Sequence, residues 1–252
     1  MTYIFAKKPI DEYLIGWTRH HHLPHATYNL VGPLLHVHFS HPFKGTTNDF
    51  YFIHESSPDQ VAQAIEGAQH NTSYWLTVFC KEAHVREIMH SYEHLGYRFT
   101  IQETLMTKPL ATGLEGMHHA MVGHSIEVTR TRESDSWAQA IASGIAISLT
   151  SLLDVVLWHY ILKHDDHQVA RGAWMLTPEH VAYIDDVETE EPYRRRGFAQ
   201  TLMQRMLSDA AAAGATESIL SASPMGRPLY QKLGYAEQAV ILVLTKYEQG
   251  ST

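Results

Sequence analysis

The stretch from Val187 to Gln200 reads VETEEPYRRRGFAQ. Its pattern is a strand end, a turn, and an amphipathic helix that begins near Phe198. The first amides of a helix have no intrahelical acceptors and sit at the positive end of the helix dipole, so they form a ready anion site. Gly197 lets the backbone approach an oxygen closely. Arg194, Arg195 and Arg196 add long-range attraction and charged hydrogen bonds. The chemistry this combination suits is the holding of a phosphate-like anion. The chain contains neither GxxxxGK[ST] nor GxGxxG, which excludes a P-loop and a dinucleotide fingerprint.

The chain as a whole points elsewhere than to nucleic acid. Its 252 residues carry a formal net charge of −8, and a phosphate backbone asks for a basic face. The 19 histidines include His20, His21, His22, His25, His36, His38 and His41. Imidazole is a common metal ligand, and His36 and His38 share a face if residues 34–39 are extended. No HExxH motif and no paired cysteines accompany them, so no metal is expected. The single cysteine, Cys80, sits in the apolar stretch YWLTVFC and is read as packing. No apolar run reaches the ~18 residues of a membrane span. The N-terminus lacks the pattern of a signal peptide, and a cytoplasmic protein is expected.

The elements that must position the arginine turn belong to a repeated pattern. SYEHLGYRFTIQETLMTK, residues 91–108, matches LYQKLGYAEQAVILVLTK, residues 229–246, at a constant offset of 138 positions. Tyr92 falls on Tyr230, and Leu95-Gly96-Tyr97 on Leu233-Gly234-Tyr235. Each segment reads as a short helix, a turn at glycine and a strand pair. Two copies imply two related domains, residues 1–110 and 118–252, joined through the Gly- and Pro-bearing segment from Pro109 to His119. In the second unit, Ser125 to Thr131 reads as a strand, with Asp135 to Gly144 and Ile145 to Tyr160 as helical stretches. His167 to Leu176 and His180 to Thr189 read as strands joined by a turn. A helix from Phe198 to Ala213 is apolar on one face. Ser218 to Ser221, Met225 to Leu233 and Ala239 to Lys246 follow as strand, helix and strand, the two strands adjacent. The fold class is α/β with a mixed sheet.

These motifs resemble the GNAT superfamily of N-acetyltransferases. Arg194-Arg195-Arg196-Gly197-Phe198-Ala199 fits the family's [QR]-x-x-G-x-[GA] signature. Tyr230 stands before Gln231-Lys232-Leu233-Gly234-Tyr235 as the family's tyrosine stands before its xxLG[FY] turn. The resemblance covers the C-terminal half and implies acetyl-CoA as cosubstrate. It implies that the backbone at Val187, Glu188 and Thr189 pairs with the pantetheine arm, and that amides of Arg195 to Gln200, Phe198 and Ala199 among them, cradle the pyrophosphate beside Arg194. Ser223 would lie near the arm, and Tyr230 would protonate the departing thiolate. An attacking amine must be neutral, whereas alkylamines are mostly protonated near pH 7, so a carboxylate is expected to take its proton. Asp185, Asp186 and Glu188 are the candidates. Period-two alternation puts Asp186 and Glu188 on one face and Asp185 on the other.

At the 138 offset the N-terminal half departs from the signature: Arg194 falls on Ser56, Gly197 on Asp59 and Ala199 on Val61. Asp59 would set a negative charge where phosphate should sit. This half is expected to be a degenerate copy that binds no CoA and completes the acceptor cleft or stabilises the pair, with Tyr92 a structural relic. The expected activity is transfer of an acetyl group to a primary amine, carried by a small molecule or peptide. The alternatives are a CoA-binding sensor without turnover and a transferase with a longer acyl donor. A homodimer is compatible with the sequence; nucleic acid and membrane partners are not expected.

Overall fold

The structure, a computed structural model, describes residues 8–20, 26–43, 47–54, 57–67, 74–110, 124–133 and 155–246. In chain order its elements are α1 (Lys8–His20), β1 (Ala26–Val31), β2 (Leu34–Phe43), β3 (Thr47–His54), α2 (Pro58–Gly67), β4 (Tyr74–Cys80), α3 (Val85–His94), β5 (Arg98–Pro109), β6 (His124–Glu133), β7 (Val155–His164), β8 (His167–Leu176), β9 (Val181–Thr189), α4 (Phe198–Ala212), β10 (Glu217–Ala222), α5 (Arg227–Lys232) and β11 (Ala236–Lys246). Among the described residues the strands form one mixed sheet in the order β1-β2-β3-β4-β11-β5-β10-β9-β8-β7-β6. Among the described residues the only parallel ladders are β3 with β4 and β9 with β10; each is joined by a crossover that contains a helix, α2 in one and α4 in the other.

The repeat is visible in atomic detail. Both LGY turns close their helix in the same way. Tyr97 N–H donates to Tyr92 O at 3.1 Å and Gly96 N–H to Glu93 O at 3.0 Å; Tyr235 N–H donates to Tyr230 O at 3.0 Å and Gly234 N–H to Gln231 O at 3.0 Å. This is a Schellman closure, and the glycines take the left-handed φ it needs, +83° and +85°. In each copy the turn's tyrosine bonds the strand two places away in the sheet: Tyr97 to Tyr74 of β4 at 2.8 Å, Tyr235 to Ser218 of β10 at 2.6 Å. The strand after each turn is one long strand rather than a pair.

The halves exchange these strands. β11, from the end of the chain, lies between β4 and β5, and β5 lies between β11 and β10. The expected adjacency of β10 and β11 is therefore corrected: β5 separates them. β5 and β11 run antiparallel, and Glu103 pairs with Ile241, its own counterpart at the repeat offset. A pseudo-twofold axis thus passes through the middle of the sheet.

Three apolar clusters hold the layers. One gathers α2 and α3 on β3, β4 and β11, with Val61, Leu76, Tyr92 and Leu242 buried. Another puts Leu202, Met203, Met206, Leu207 and Ala210 of α4 against β7, β8, β9 and β10; each such side chain contributes about 1.5–3 kcal/mol on burial. The central cluster joins both halves: Tyr13 and Leu14 of α1 meet Phe79, Leu105, Tyr183 and Ile219. Glu12 of α1 accepts a hydrogen bond from the Thr177 hydroxyl, so the N-terminal helix is fastened to the β8–β9 turn. Cys80 is buried, 1% exposed.

Residues 155–160, expected to be helical, are strand. Val155 and Val156 are β-branched, Trp158 and Tyr160 aromatic, and all favour a pleated surface; β7 pairs with β6 and β8 on its two sides. The helix expected over 135–144, the remainder of the 145–160 stretch, and most of the expected 109–119 connection lie outside the described residues.

Candidate functional site

β9 and β10 start as a parallel pair but remain paired only from Val181↔Glu217 to Tyr183↔Ile219. Beyond Tyr183 the ladder stops, and the β10-facing edge of residues 185–189 lies outside it. On the other side, the β8–β9 register shifts between Arg171 and Ala173, so Asp186 and Val187 face the single Gly172. Asp186 adopts φ +53°. This is a β-bulge, which bends its strand and re-aims the side chains beside it.

The bulge corrects the alternation expected for the three carboxylates. Asp185 and Asp186 both line one cavity, whereas Glu188 does not. Glu188 instead accepts hydrogen bonds from Arg171 Nη2 at 2.7 Å and Nε at 3.1 Å, at an exposed position. Asp185 accepts from the Tyr183 hydroxyl at 2.7 Å and from the Asp186 amide at 2.8 Å. Asp186 Oδ2 lies 3.0 Å from His20 Nε2.

After β9 a short 3₁₀ turn, Glu191–Tyr193, leads to the arginines. Arg194 Nε donates to Thr189 O at 3.1 Å. Arg195 is left-handed, φ +61°, and exposed. Arg196 stands over the rings of Tyr193 and Phe198, 5.5 and 5.3 Å from their centroids. Gly197 is the N-cap of α4 at φ +88°, with no side-chain cap, and a Cβ there would meet nothing within 4 Å. The first α4 hydrogen bond runs from Thr201 N–H to Gly197 O at 3.0 Å. The amides of Phe198, Ala199 and Gln200 therefore precede the helical ladder. Phe198 is buried, while Ala199 and Gln200 lie on the first turn toward solvent. The residues fit an anionic phosphate group: open backbone, unobstructed space at the cap, and three guanidinium groups.

The corresponding turn of the N-terminal half is built otherwise. Three residues separate His54 from Pro58, against eight between Thr189 and Phe198. The constant offset therefore fails here. It holds for the LGY segments but not across this shorter loop, and Asp59 falls inside the first turn of α2. Ser57 Oγ accepts from Gln60 N–H at 3.3 Å, an N-cap that takes up an amide.

Tyr230, the one buried residue of α5, packs its ring on Tyr235, with centroids 5.8 Å apart. Burial first, then the charges of Asp185 and Glu103, push its phenol above the ordinary range. Ser223 holds the entry to α5: its Oγ accepts from Gly226 N–H at 3.1 Å. Val187 packs at the edge of the C-terminal cluster. The cavity also has lining that the sequence did not reveal: Tyr13 and Trp17 of α1, Phe50 and Phe52 of β3, and Glu103 of β5. The four-residue spacing of Tyr13 and Trp17 and the two-residue spacing of Phe50 and Phe52 mark shared faces. Which groups those faces meet depends on the strand exchange.

The histidine reading has its own outcome. His36, His38 and Asp49 place ligand-capable atoms within 4.8 Å of one another. His36 Nε2 and His38 Nδ1 lie 2.8 and 2.9 Å from the same Asp49 oxygen. Burial raises the Asp49 carboxyl, but hydrogen bonds from His38 and His36 outweigh it and hold the group below its ordinary value. A carboxyl lowered in the folded state stabilises above its unfolded pKa, about 3.9, and loses that contribution as pH falls through its lower folded value. Asp49→Asn is expected to cost about 1–3 kcal/mol near pH 7, with the gap to wild type narrowing toward pH 3. Urea unfolding at the two pH values checks this.

The sequence of residues 150–235 matches the acetyltransferase (GNAT) family. Among curated proteins, none matches the chain. In structure, the chain is similar to a GCN5-related N-acetyltransferase from Kribbella flavida, with 17% identity, a TM-score of 0.62, and 99% of this chain and 98% of that one covered. It is similar to a tandem GNAT protein from the clavulanic acid biosynthesis pathway, at 12% identity and TM-score 0.58, covering 96% and 89% of the two chains. A functionally unknown conserved protein from Staphylococcus epidermidis follows at 13% identity and TM-score 0.51, covering 89% and 95%. At these identities the likeness speaks for the fold, two tandem GNAT-like units in a mixed α/β architecture.

Proposed function

With its C-terminal half a GNAT domain, we propose that the protein transfers an acetyl group from acetyl-CoA to a primary amine. The observation that carries this reading is the gap between β9 and β10, bordered by the uncapped start of α4 behind the arginine triplet. Acetyl-CoA supplies an activated thioester. The chain's part is to hold the pyrophosphate on the amides at 195–200, with Arg194 beside them, and to align the pantetheine arm along Val187, Glu188 and Thr189, with Ser223 across the gap. Asp185 takes the ammonium proton: of Asp185, Asp186 and Glu188 it is the one that both lines the cavity and acts by its charge on Tyr230. Tyr230 keeps its proton and donates it to the leaving sulfur. Glu188 then serves the strand's pairing through Arg171 rather than the proton. Residues 1–110 form the degenerate unit, which binds no CoA and walls the acceptor cavity; residues 118–252 form the catalytic unit.

Calorimetry with acetyl-CoA and intact protein, followed by CoA release over a panel of amines, tests the reading. Absence of any binding heat would overturn it. Heat without turnover on any amine would favour the sensor alternative. Gly197→Ala puts a side chain at φ +88°, where the left-handed region costs about 1–2 kcal/mol. It is expected to weaken acetyl-CoA binding about tenfold or more, a loss of about 1.4 kcal/mol, with only a small fall in melting temperature.

A further inference from the structure

A cavity of about 310 Å³ opens between the halves at the point where β9 leaves β10, a size at the lower end for small-molecule sites. Its two ends differ in chemistry. One is aromatic: Trp17 of α1 with Phe50, Phe52 and Trp75 of the paired strands β3 and β4, all from the N-terminal half. These rings brace one another. Trp17 lies 5.0 Å from Phe52 and 5.7 Å from Phe50, and Phe50 lies 5.7 Å from Trp75. The other end is acidic: Glu103, Asp185 and Asp186. Among the described residues, none of those lining the cavity is Lys, Arg or His. The titratable neighbours of the acidic end are Tyr13, Tyr183 and Tyr230, all kept protonated first by burial, together with His20 at Asp186 and His159. Burial, then His20, holds His159 below its ordinary value.

Three carboxylates beside an aromatic wall select against anions and reward a cation. An ammonium gains from the carboxylates and from the ring faces within about 6 Å, while an apolar body gains by leaving water. A polyamine would place further charges against the rings and lose the second gain. We propose that this cavity binds a monocationic amine with an apolar, aromatic body. Its ammonium lies among Glu103, Asp185 and Asp186, and its body against the N-terminal rings. The assignment rests on the transferase reading and narrows its acceptor to arylalkylamines. The degenerate half thereby becomes the specificity element, since it supplies every aromatic wall residue and Glu103.

The test is calorimetry of intact protein with four probes, CoA, 2-phenylethylamine, ethanolamine and 3-phenylpropionate, and acetyl transfer from acetyl-CoA to each of the two amines. 2-Phenylethylamine is expected to bind and to react at least about tenfold better than ethanolamine, and 3-phenylpropionate to give no heat. Trp17→Ala and Glu103→Gln should each lower affinity for 2-phenylethylamine about fivefold or more, the size of a desolvated cation–π or ion contact, with CoA affinity unchanged. The wild-type comparison decides even if a variant fails to fold. Ethanolamine equal to 2-phenylethylamine, or 3-phenylpropionate binding as well, overturns the assignment while CoA heat leaves the transferase reading standing. Amine binding without CoA heat removes the transferase reading and the acceptor role with it.

Discussion

Tyr230→Phe is expected to lower kcat for amine acetylation by about 10²–10⁴-fold, the usual range for loss of a positioned proton donor. Affinity for acetyl-CoA and the melting temperature should hardly move. The physical ground is the separation of the ring from the hydroxyl. The ring is what packs: Tyr230 is 7% exposed and rests on Tyr235, and phenylalanine keeps that contact. In the proposed mechanism the hydroxyl is what reacts. Burial and the nearby Asp185 and Glu103 charges raise its pKa above the ordinary value, about 10 for a free tyrosine, so the group remains a donor across the pH range in which an amine is deprotonated. The wild-type rate should therefore show no alkaline decline from tyrosine ionisation below about pH 10. Steady-state kinetics from pH 6 to 10, with calorimetry on the same variant, check both parts. An unchanged kcat would assign Tyr230 to packing alone.

Gly16→Ala should cost about 3 kcal/mol or more of stability, the upper end of overpacking effects, and abolish activity. A Cβ built at Gly16 would stand 2.1 Å from Tyr183 Cγ and 2.5 Å from Tyr183 Cβ. These atoms lie at the root of the side chain, so no rotation of a flexible tip relieves the clash. Either α1 lifts off β9 or β9 shifts. Lifting α1 displaces Tyr13 and Trp17 from the cavity and opens the Glu12–Thr177 bond. Shifting β9 moves Tyr183, which holds Asp185 at 2.7 Å. Denaturant unfolding should show the loss in midpoint at unchanged slope. A stable and fully active Gly16→Ala protein would mean that α1 does not depend on this close approach.

The arginine turn and both LGY turns were legible because their determinants are local. A glycine with φ near +85° and an amphipathic run after it are written within ten residues. The α4 face from Leu202 to Ala210 was legible for the same reason. Residues 155–160 misled because a short apolar run fits a buried helix and a buried strand alike, and β7 is settled by its two neighbours. The placement of Asp185, Asp186 and Glu188 was hidden by one bulged residue, since a single extra position reverses which side chains share a face. The aromatic wall was hidden for a different reason. Its residues lie more than 80 positions before Asp185; the exchange of β5 and β11 carries those of β3 and β4 there, and the packing of α1 on β9 carries Tyr13 and Trp17.

That exchange also governs how the molecule comes into being. β4 and β5 are neighbours only through β11, which follows every other described strand in the chain. Until it leaves the ribosome, the N-terminal unit exposes two apolar strand edges, and the pairings that close them join residues more than 120 positions apart. Such long-range closure is slow and leaves nascent chains open to aggregation. Truncation a few residues into β11 should therefore injure the first half of the protein as severely as the second.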